Sequence, residues 1–168
     1  MVLTLRTGLM IKVGDTIPSM KLTTATLDGP KESTTEEIFA GKKVVLFAVP
    51  GAFTPTCSAK HLPGYLANVE AMRAKGVDTV ACMAVNDGFV MAAWARDQGV
   101  DGQILMLADG SGVFTKALGL ELDLTARGLG IRSQRFAMVV EDGAVSSLSI
   151  EPPGGFDVSK AESLLAGL

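Results

Sequence analysis

Val44-Val45-Leu46-Phe47-Ala48-Val49 is a continuous apolar run, rich in β-branched residues, in the first third of the chain. Such a run predicts a strand that is covered on both faces. Residues 56–75 follow with apolar side chains at near-helical spacing, and Gly76 ends that helix before a second apolar run at 77–85. A strand, a helix and a strand of these lengths predict a βαβ unit with parallel strands and a right-handed crossover.

The remaining sequence predicts further elements around this unit. Strands are predicted at 104–107, 135–141 and 144–150, with a strand or a loop at 20–27. Helices are predicted from Ser33 or Thr34 to Gly41, at 88–98 after a cap by Asn86 or Asp87, at 112–118, and from a Ser159 cap to about Ala166. Residues 120–133 are looplike, whereas Asp142-Gly143 is the strongest hairpin signal in the chain. These elements predict an α/β protein with a mixed central sheet and helices on both faces.

Length and composition exclude several classes of protein. The chain has 168 residues, 48% of them hydrophobic and 20% charged, which predicts one domain over 11–168 after a short extension at 1–10. A net charge of −3 gives no reason to expect nucleic acid or an anionic membrane as a partner. We expect no membrane span, no signal peptide and, with two cysteines, no disulfide scaffold. A reducing, cytoplasmic location is the default expectation.

Cys57 lies where the first strand of the βαβ unit gives way to its helix. The first N–H groups of a helix lack an internal partner, and with the helix dipole they favour a thiolate over a thiol. Pro50 and Pro55 restrict the loop, which leaves the N–H groups of Thr56 and Cys57 free to face a bound oxygen. Thr54 adds a hydroxyl. The alternative is a buried structural cysteine, which the proline-rich loop makes the weaker reading.

The loop belongs to a longer familiar pattern. The run Val49-Pro50-Gly51-Ala52-Phe53-Thr54-Pro55-Thr56-Cys57-Ser58, followed by His61-Leu62-Pro63-Gly64-Tyr65, resembles the peroxiredoxins. The resemblance is strongest to the branch of the mammalian type V and plant type II enzymes. It extends to Ile11-Lys12-Val13-Gly14-Asp15, Gly41-Lys42-Lys43-Val44, Val85-Asn86-Asp87 and Arg135-Phe136-Ala137-Met138-Val139-Val140. It covers nearly all of residues 11–168 and implies a thioredoxin-like fold.

The resemblance implies a thiol-dependent peroxidase for hydrogen peroxide and small alkyl hydroperoxides. Cys57 matches the peroxidatic cysteine, which peroxide oxidises to a sulfenic acid. Thr54 matches the threonine that hydrogen-bonds the peroxide, and Pro50 matches the proline that shields the pocket. Arg135 matches the active-site arginine, an assignment that rests on the resemblance alone, because its position at a strand end otherwise indicates a surface cation. We place Phe53, Thr56 and His61 in the substrate pocket.

His61 and Cys82 are each open to two interpretations. His61, four residues after Cys57, can share its helix face and form a cysteine–histidine pair, or it can be a hydrogen-bonded structural residue, which we favour. Cys82, in an apolar strand, is either an inert core thiol or a resolving cysteine of the kind proposed for plant relatives. Residues 151–168 lack the C-terminal resolving cysteine of the mammalian relatives. We therefore expect glutathione with glutaredoxin, or thioredoxin, to reduce Cys57.

Two other functions remain open at this point. A thiol–disulfide oxidoreductase is disfavoured because Cys57 has no partner at Cys-x-x-Cys spacing. A non-catalytic redox-sensing or chaperone-like binding module, in which oxidation of Cys57 switches a partner interface, is disfavoured because Thr54 and Arg135 beside Cys57 suit turnover. One histidine and two separated cysteines give no metal-ligand spacing, and we expect neither metal nor cofactor. By family analogy we expect a homodimer that pairs through Phe53 and the region 120–130.

Overall fold

The computed structural model describes residues 9–168, so the predicted extension at 1–10 lies almost wholly outside the described residues. The strands are β1 (Lys21–Thr26), β2 (Gly29–Thr34), β3 (Lys43–Ala48), β4 (Thr79–Ala84), β5 (Leu105–Ala108), β6 (Glu121–Leu124), β7 (Gly130–Ser133), β8 (Phe136–Glu141) and β9 (Ala144–Ile150). The helices are α1 (Thr35–Phe39), α2 (Leu62–Ala74), α3 (Gly88–Asp97), α4 (Val113–Leu118) and α5 (Ala161–Ala166). None of these helices is long and apolar enough to cross a bilayer.

A seven-stranded mixed sheet forms the centre of the molecule, with strand order β2-β1-β5-β4-β3-β8-β9. The β3–β4 and β4–β5 pairs are parallel, as the βαβ prediction requires, and the β3–β8 and β8–β9 pairs are antiparallel. Asp142 and Gly143 turn β8 into β9 with positive φ angles of 48° and 80°, as a tight hairpin turn demands. The predicted mixed sheet and hairpin are confirmed.

Strand β3 is buried on both faces and separates two apolar layers. Val45 and Phe47 pack into a cluster with side chains of α2, α3 and α5, whereas Val44 and Leu46 pack into a second cluster with side chains of α1 and α4. This alternation follows from the period of two in a strand. Helices therefore cover both faces of the sheet, as the sequence predicts.

Two local predictions are wrong. Residues 120–133 are not a plain loop, because β6 and β7 pair there as a small antiparallel sheet with Glu121 opposite Ser133. Each strand has only four residues, which is too short for a reliable alternating pattern. Ser159 does not cap the last helix: Lys160 precedes α5 without a capping bond, and the Ser159 hydroxyl donates to Glu151 instead.

The predicted helix over 56–75 exists, but its beginning differs from a regular α-helix. Residues Cys57–His61 form a π-helical turn in which the Leu62 N–H donates to the Cys57 carbonyl, and α2 continues from there. Single π turns within helices are frequent at functional sites. The turn places Cys57 and His61 at the carboxyl end of β3, where the loop from Pro50 to Thr54 meets the helix.

Candidate active site

Cys57 lies in the mouth of this helix. The first intrahelical hydrogen bond runs from the Ser58 N–H to the Thr54 carbonyl at 3.0 Å. The N–H groups of Thr56 and Cys57 precede that bond and have no carbonyl partner within the helix. The positive end of the helix dipole therefore lies at the start of the turn that carries Cys57. Cys57 itself is fully buried and is a free thiol.

Arg135 supplies the positive charge beside this sulfur. Its Nη2 donates to Cys57 Sγ at 3.2 Å. Residues Ala48 and Phe136 are opposite each other in the antiparallel β3–β8 pair, so Arg135, one residue before Phe136, lies just past the end of β3 where the loop to Cys57 begins. A guanidinium stays protonated at neutral pH and stabilises a neighbouring thiolate. The buried sulfur therefore faces a cation rather than hydrocarbon alone.

His61 contacts Arg135 from the other side. Arg135 Nη1 lies 2.7 Å from His61 Nδ1, and His61 Nε2 lies 3.1 Å from the Ser159 carbonyl oxygen. A guanidinium only donates and a carbonyl only accepts, so Nδ1 carries the lone pair and Nε2 carries the hydrogen. Burial, and then the charge of Arg135, lower the pKa of His61 to about 3. His61 is thus a neutral, hydrogen-bonded residue, and Arg135 rather than His61 is the cation at the sulfur.

The loop before Cys57 is constrained by its own contacts. The Thr54 hydroxyl donates to the Gly51 carbonyl at 2.6 Å, which leaves the lone pairs of its oxygen to accept a hydrogen bond from a ligand. Phe53 has a positive φ of 62°, a conformation that is uncommon for a residue other than glycine, and its side chain is 52% exposed. The loop thus presents one hydroxyl acceptor and one exposed aromatic side chain beside the helix mouth.

The whole chain resembles proteins of known activity. It matches the Redoxin family over residues 12–165. Over 162 residues it is 47% identical to peroxiredoxin-2E, chloroplastic, of Arabidopsis thaliana, covering 94% of this chain and 69% of that protein. Over 161 residues it is 48% identical to peroxiredoxin-2C of Oryza sativa subsp. japonica, covering 94% and 98%. The reduced Prx3 of Vibrio vulnificus in complex with hydrogen peroxide superposes with a TM-score of 0.89 at 53% identity, over 94% of this chain and 99% of that one.

The chain belongs to the peroxiredoxin family. It is a thiol peroxidase that reduces peroxides through a buried peroxidatic cysteine. The resemblance to the plant type II and type V branch is confirmed by the two plant relatives and by a 40% identical peroxiredoxin 5 from Alvinella pompejana. The thioredoxin-like fold implied by that resemblance is confirmed with it.

The second thiol of this peroxiredoxin is in a different environment. Cys82 lies in the middle of β4, opposite Phe47 on one side and Met106 on the other, and is fully buried. It belongs to the same apolar cluster as Cys57. Burial raises the pKa of Cys82 well above its ordinary value, and the charge of Cys57 adds to that rise while Arg135 opposes it. Burial therefore favours the protonated thiol of Cys82 in this arrangement.

Two side chains that the sequence did not place beside Cys57 hold the loop before it in this peroxiredoxin. Arg132 donates from Nη1 to the Pro50 carbonyl at 3.2 Å and from Nε to the Leu129 carbonyl at 2.8 Å. Asn86, beside the Asp87 cap of α3, accepts from the Ala52 N–H at 2.9 Å. Arg132 has no local sequence signal, because it reaches the loop across 82 residues. Asn86 follows a predicted strand end, a position that also suits a plain helix cap.

Gly51 in the same loop lies directly against the Arg132 side chain. A Cβ atom there would lie 2.7 Å from Arg132 Nη1 and 3.1 Å from Thr54 Cγ2. Any side chain would therefore push the guanidinium away from the Pro50 carbonyl. The end of β3, the π turn and the start of β8 bring five of the predicted site residues to one place: Pro50, Thr54, Cys57, His61 and Arg135. No group of three or more His, Cys, Asp or Glu side chains within residues 9–168 is arranged to hold a metal ion.

Proposed function

We propose that Cys57 is the peroxidatic cysteine of this peroxiredoxin, acting on hydrogen peroxide and small alkyl hydroperoxides. The observation that carries the proposal is the 3.2 Å contact from Arg135 Nη2 to Cys57 Sγ at a helix mouth. Arg135 and the helix N–H groups favour the thiolate, and the thiolate is the nucleophile. Among residues 9–168, Cys57 is the only thiol with a cation within hydrogen-bonding distance.

In the proposed reaction, the Cys57 thiolate attacks one oxygen of the hydroperoxide in line with the O–O bond. An S–O bond forms as the O–O bond breaks, so sulfur is oxidised to a sulfenic acid and the peroxide is reduced. The other oxygen leaves as an anion and takes a proton from solvent to become water or an alcohol. Arg135 and Thr54 are positioned to hold the peroxide, and preorganised donors of this kind stabilise developing charge. Pro50, Phe53 and Thr56 line the approach.

We further propose that an external thiol recycles the sulfenic acid. A resolving cysteine attacks as a thiolate, and burial keeps Cys82 protonated. Glutathione condenses with the sulfenic acid and releases water, and glutaredoxin with a second glutathione frees Cys57 from the mixed disulfide. Thioredoxin can take the same role. Such reductants suit a reducing, cytosolic-type compartment, and we propose that residues 11–168 act there as one domain, as a homodimer.

The direct test is peroxide consumption in the presence of glutathione and glutaredoxin, or of thioredoxin and its reductase. We expect Cys57→Ser to abolish turnover and Cys82→Ser to retain it, because Arg135 contacts the Cys57 sulfur and Cys82 is buried in apolar surroundings. Mass spectrometry after one equivalent of peroxide then identifies the product. Sulfenic acid or a glutathione adduct on Cys57 supports the proposal, whereas a Cys57–Cys82 disulfide or equal turnover by Cys57→Ser contradicts it.

A further inference from the structure

The segment 152–160, between β9 and α5, packs against Arg135 and His61. The centroid of the Phe156 ring in this segment lies 5.8 Å from Arg135 Cζ. The same ring meets the His61 ring edge-on, with 5.2 Å between the two centroids. The Ser159 carbonyl, also in the segment, accepts from His61 Nε2. The segment therefore contacts Arg135 directly through Phe156, and indirectly through His61, which accepts a hydrogen bond from Arg135.

Glu151 holds this segment in place. Its Oε2 accepts from the Asp157 N–H at 2.6 Å, the Ser159 N–H at 2.9 Å and the Ser159 hydroxyl at 2.7 Å, and its Oε1 accepts from the Val158 N–H at 3.2 Å. The side chain is only 5% exposed. Burial alone would raise the pKa of Glu151, but the hydrogen bonds from Ser159, Asp157 and Val158 outweigh it and hold that pKa below its ordinary value. Glu151 is thus a carboxylate with four donors.

The carboxylate fixes the carbonyl of Ser159, and that carbonyl has two donors from α2 and the π turn. His61 Nε2 lies 3.1 Å away and the Tyr65 hydroxyl donates at 2.7 Å. Burial raises the pKa of Tyr65, so its O–H remains a donor. The Tyr65 ring stacks on Phe47 of β3 at 3.8 Å between centroids. The carbonyl therefore orients the imidazole, and only one tautomer presents its Nδ1 lone pair to Arg135.

The contacts form a closed circuit. The Glu151 N–H donates to the Arg135 carbonyl at 2.9 Å, so the residue that holds the segment is also bonded to the backbone of the arginine. From the Glu151 carboxylate the circuit runs through Ser159 and His61 to Arg135 Nη1, while Arg135 Nη2 reaches the sulfur. Every step is a hydrogen bond between buried or half-buried groups.

Resting on the role of Cys57 and Arg135 proposed above, we propose that Glu151 is a positioning residue for the peroxidase reaction: through Ser159 and His61 it aims the Arg135 guanidinium at Cys57. It touches neither peroxide nor sulfur. Hydrogen-bonding partners that orient a metal ligand typically change activity about 10–100-fold when they are lost, and the same physical reasoning applies to a relay that orients a catalytic guanidinium. The effect of Glu151 on the reaction therefore depends on the presence of Arg135.

The test is a double-mutant cycle on the rate of Cys57 oxidation. Fully reduced protein is mixed rapidly with hydrogen peroxide, and the sulfenic acid is trapped with dimedone and counted by mass spectrometry. Glu151→Ala is measured with Arg135 present and in an Arg135→Met background. We expect Glu151→Ala to lower the rate constant about 10–100-fold with Arg135 present, and to have little further effect without it.

Two further variants separate positioning from folding. In Glu151→Gln, the amide oxygen can still accept from Ser159, whereas the amide nitrogen only donates and cannot accept from the Val158 N–H, so we expect a smaller loss of rate than in Glu151→Ala. Asp109→Ala is the matched control. Asp109 accepts three hydrogen bonds, against four for Glu151, from the Phe114 N–H, the Thr115 N–H and the Thr115 hydroxyl, but it serves α4 on the other face of the sheet. We expect the rate of its folded fraction to match wild type.

Where Glu151→Ala does not fold, Glu151→Asp replaces it in the same cycle, because the shorter carboxylate cannot hold Ser159 without moving it. Equal losses in the two Arg135 backgrounds, or the same loss in Asp109→Ala, would overturn the positioning role and leave a structural one. Failure of Arg135→Met to slow oxidation would instead contradict the proposed function, so the two failures are distinguishable.

Discussion

Arg135 uses its two terminal nitrogens on different partners, the Cys57 sulfur and the His61 ring. A neutral imidazole accepts the second bond, and a protonated one would repel the guanidinium. Burial and the charge of Arg135 both lower the pKa of His61, so the imidazole stays uncharged and can accept this bond. At the scale of single residues, the site is one cation that contacts both the Cys57 sulfur and a histidine that it keeps neutral.

The depressed pKa of His61 predicts an acid sensitivity of the fold. Its ordinary pKa is 6.5 and its value in the folded protein is about 3. Between pH 6.5 and about pH 3, His61 is protonated in the unfolded chain but not in the folded protein, so the free energy of unfolding falls as the pH falls. We expect the free energy of unfolding from urea titrations to drop by up to about 1.4 kcal/mol per pH unit from this residue between about pH 6 and pH 4.

His61→Gln is the control for that measurement, because it keeps a donor for Ser159 and an acceptor for Arg135 but does not titrate. Its stability should depend less steeply on pH than that of wild type over the same range. Identical slopes for the two proteins would contradict a neutral buried His61.

Residue roles were predictable only where the chemistry is local. The proline-rich loop at a strand–helix junction singles out Cys57 and Thr54, because helix polarity acts within one turn. Arg135 required a family resemblance, since it is 78 residues from Cys57 and reaches it only through the β3–β8 register. Glu151 had no signal, because an acidic residue after a strand usually indicates a solvated loop.

At the scale of secondary structure, the π turn Cys57–His61 is joined to helix α3 by one hydrogen bond. The buried indole Nε1 of Trp94 donates to the Ser58 hydroxyl at 2.9 Å. Ser58 is the residue after Cys57, so α3 is bonded directly to the turn that carries the sulfur. The single tryptophan of the chain therefore reports on the conformation of this turn.

Ser58→Ala would leave the Trp94 N–H without a partner in the core. We expect a loss of about 1–3 kcal/mol in the free energy of unfolding, the usual effect of an unsatisfied buried donor. The tryptophan emission of the native state should shift as well. Ser147→Ala, at an exposed position of β9, is the matched control and should leave both stability and emission unchanged. Equal stability of the two variants would show that the bond contributes nothing.

The elements themselves were predictable where the pattern was long. The apolar run of β3, the helix after it and the Asp142-Gly143 hairpin each follow from periodicity or turn chemistry. The missed elements are short or polar: β2 has the sequence Gly29-Pro30-Lys31-Glu32-Ser33-Thr34, and β6 and β7 have four residues each. Their pairing depends on neighbouring strands rather than on their own residues.

At the scale of the whole molecule, exposed apolar side chains lie beside the active-site loop. Phe53, Leu129 and Ile131 are 52%, 36% and 43% exposed, and Arg132 joins their segments through its bonds to Pro50 and Leu129. Exposed apolar groups that lie together indicate an interaction surface. Phe53 and Leu129 belong to the two regions, Phe53 and 120–130, that the family analogy assigns to the interface of the proposed homodimer, and Ile131 follows directly after them.

We expect Leu129→Glu to weaken that dimer, because a carboxylate would be buried without a partner in the interface. Sedimentation velocity at micromolar concentration should show wild type as a dimer and the variant shifted towards monomer. Leu27→Glu is the matched control, since Leu27 is 73% exposed at the β1–β2 turn, and it should sediment as wild type does. A wild-type protein that sediments only as a monomer would contradict the proposal.

The action of Arg135 on the Cys57 sulfur is the central claim about this site, and one rate constant tests it directly. Wild type and Arg135→Met, both fully reduced, are mixed with hydrogen peroxide under single-turnover conditions, and the appearance of sulfenic acid on Cys57 is followed. We predict that the second-order rate constant falls about 10²–10³-fold in the variant. Losses of this size are typical when an enzyme loses one preorganised hydrogen-bond donor to the charge that develops in the transition state. An unchanged rate constant in a correctly folded Arg135→Met protein would contradict the account.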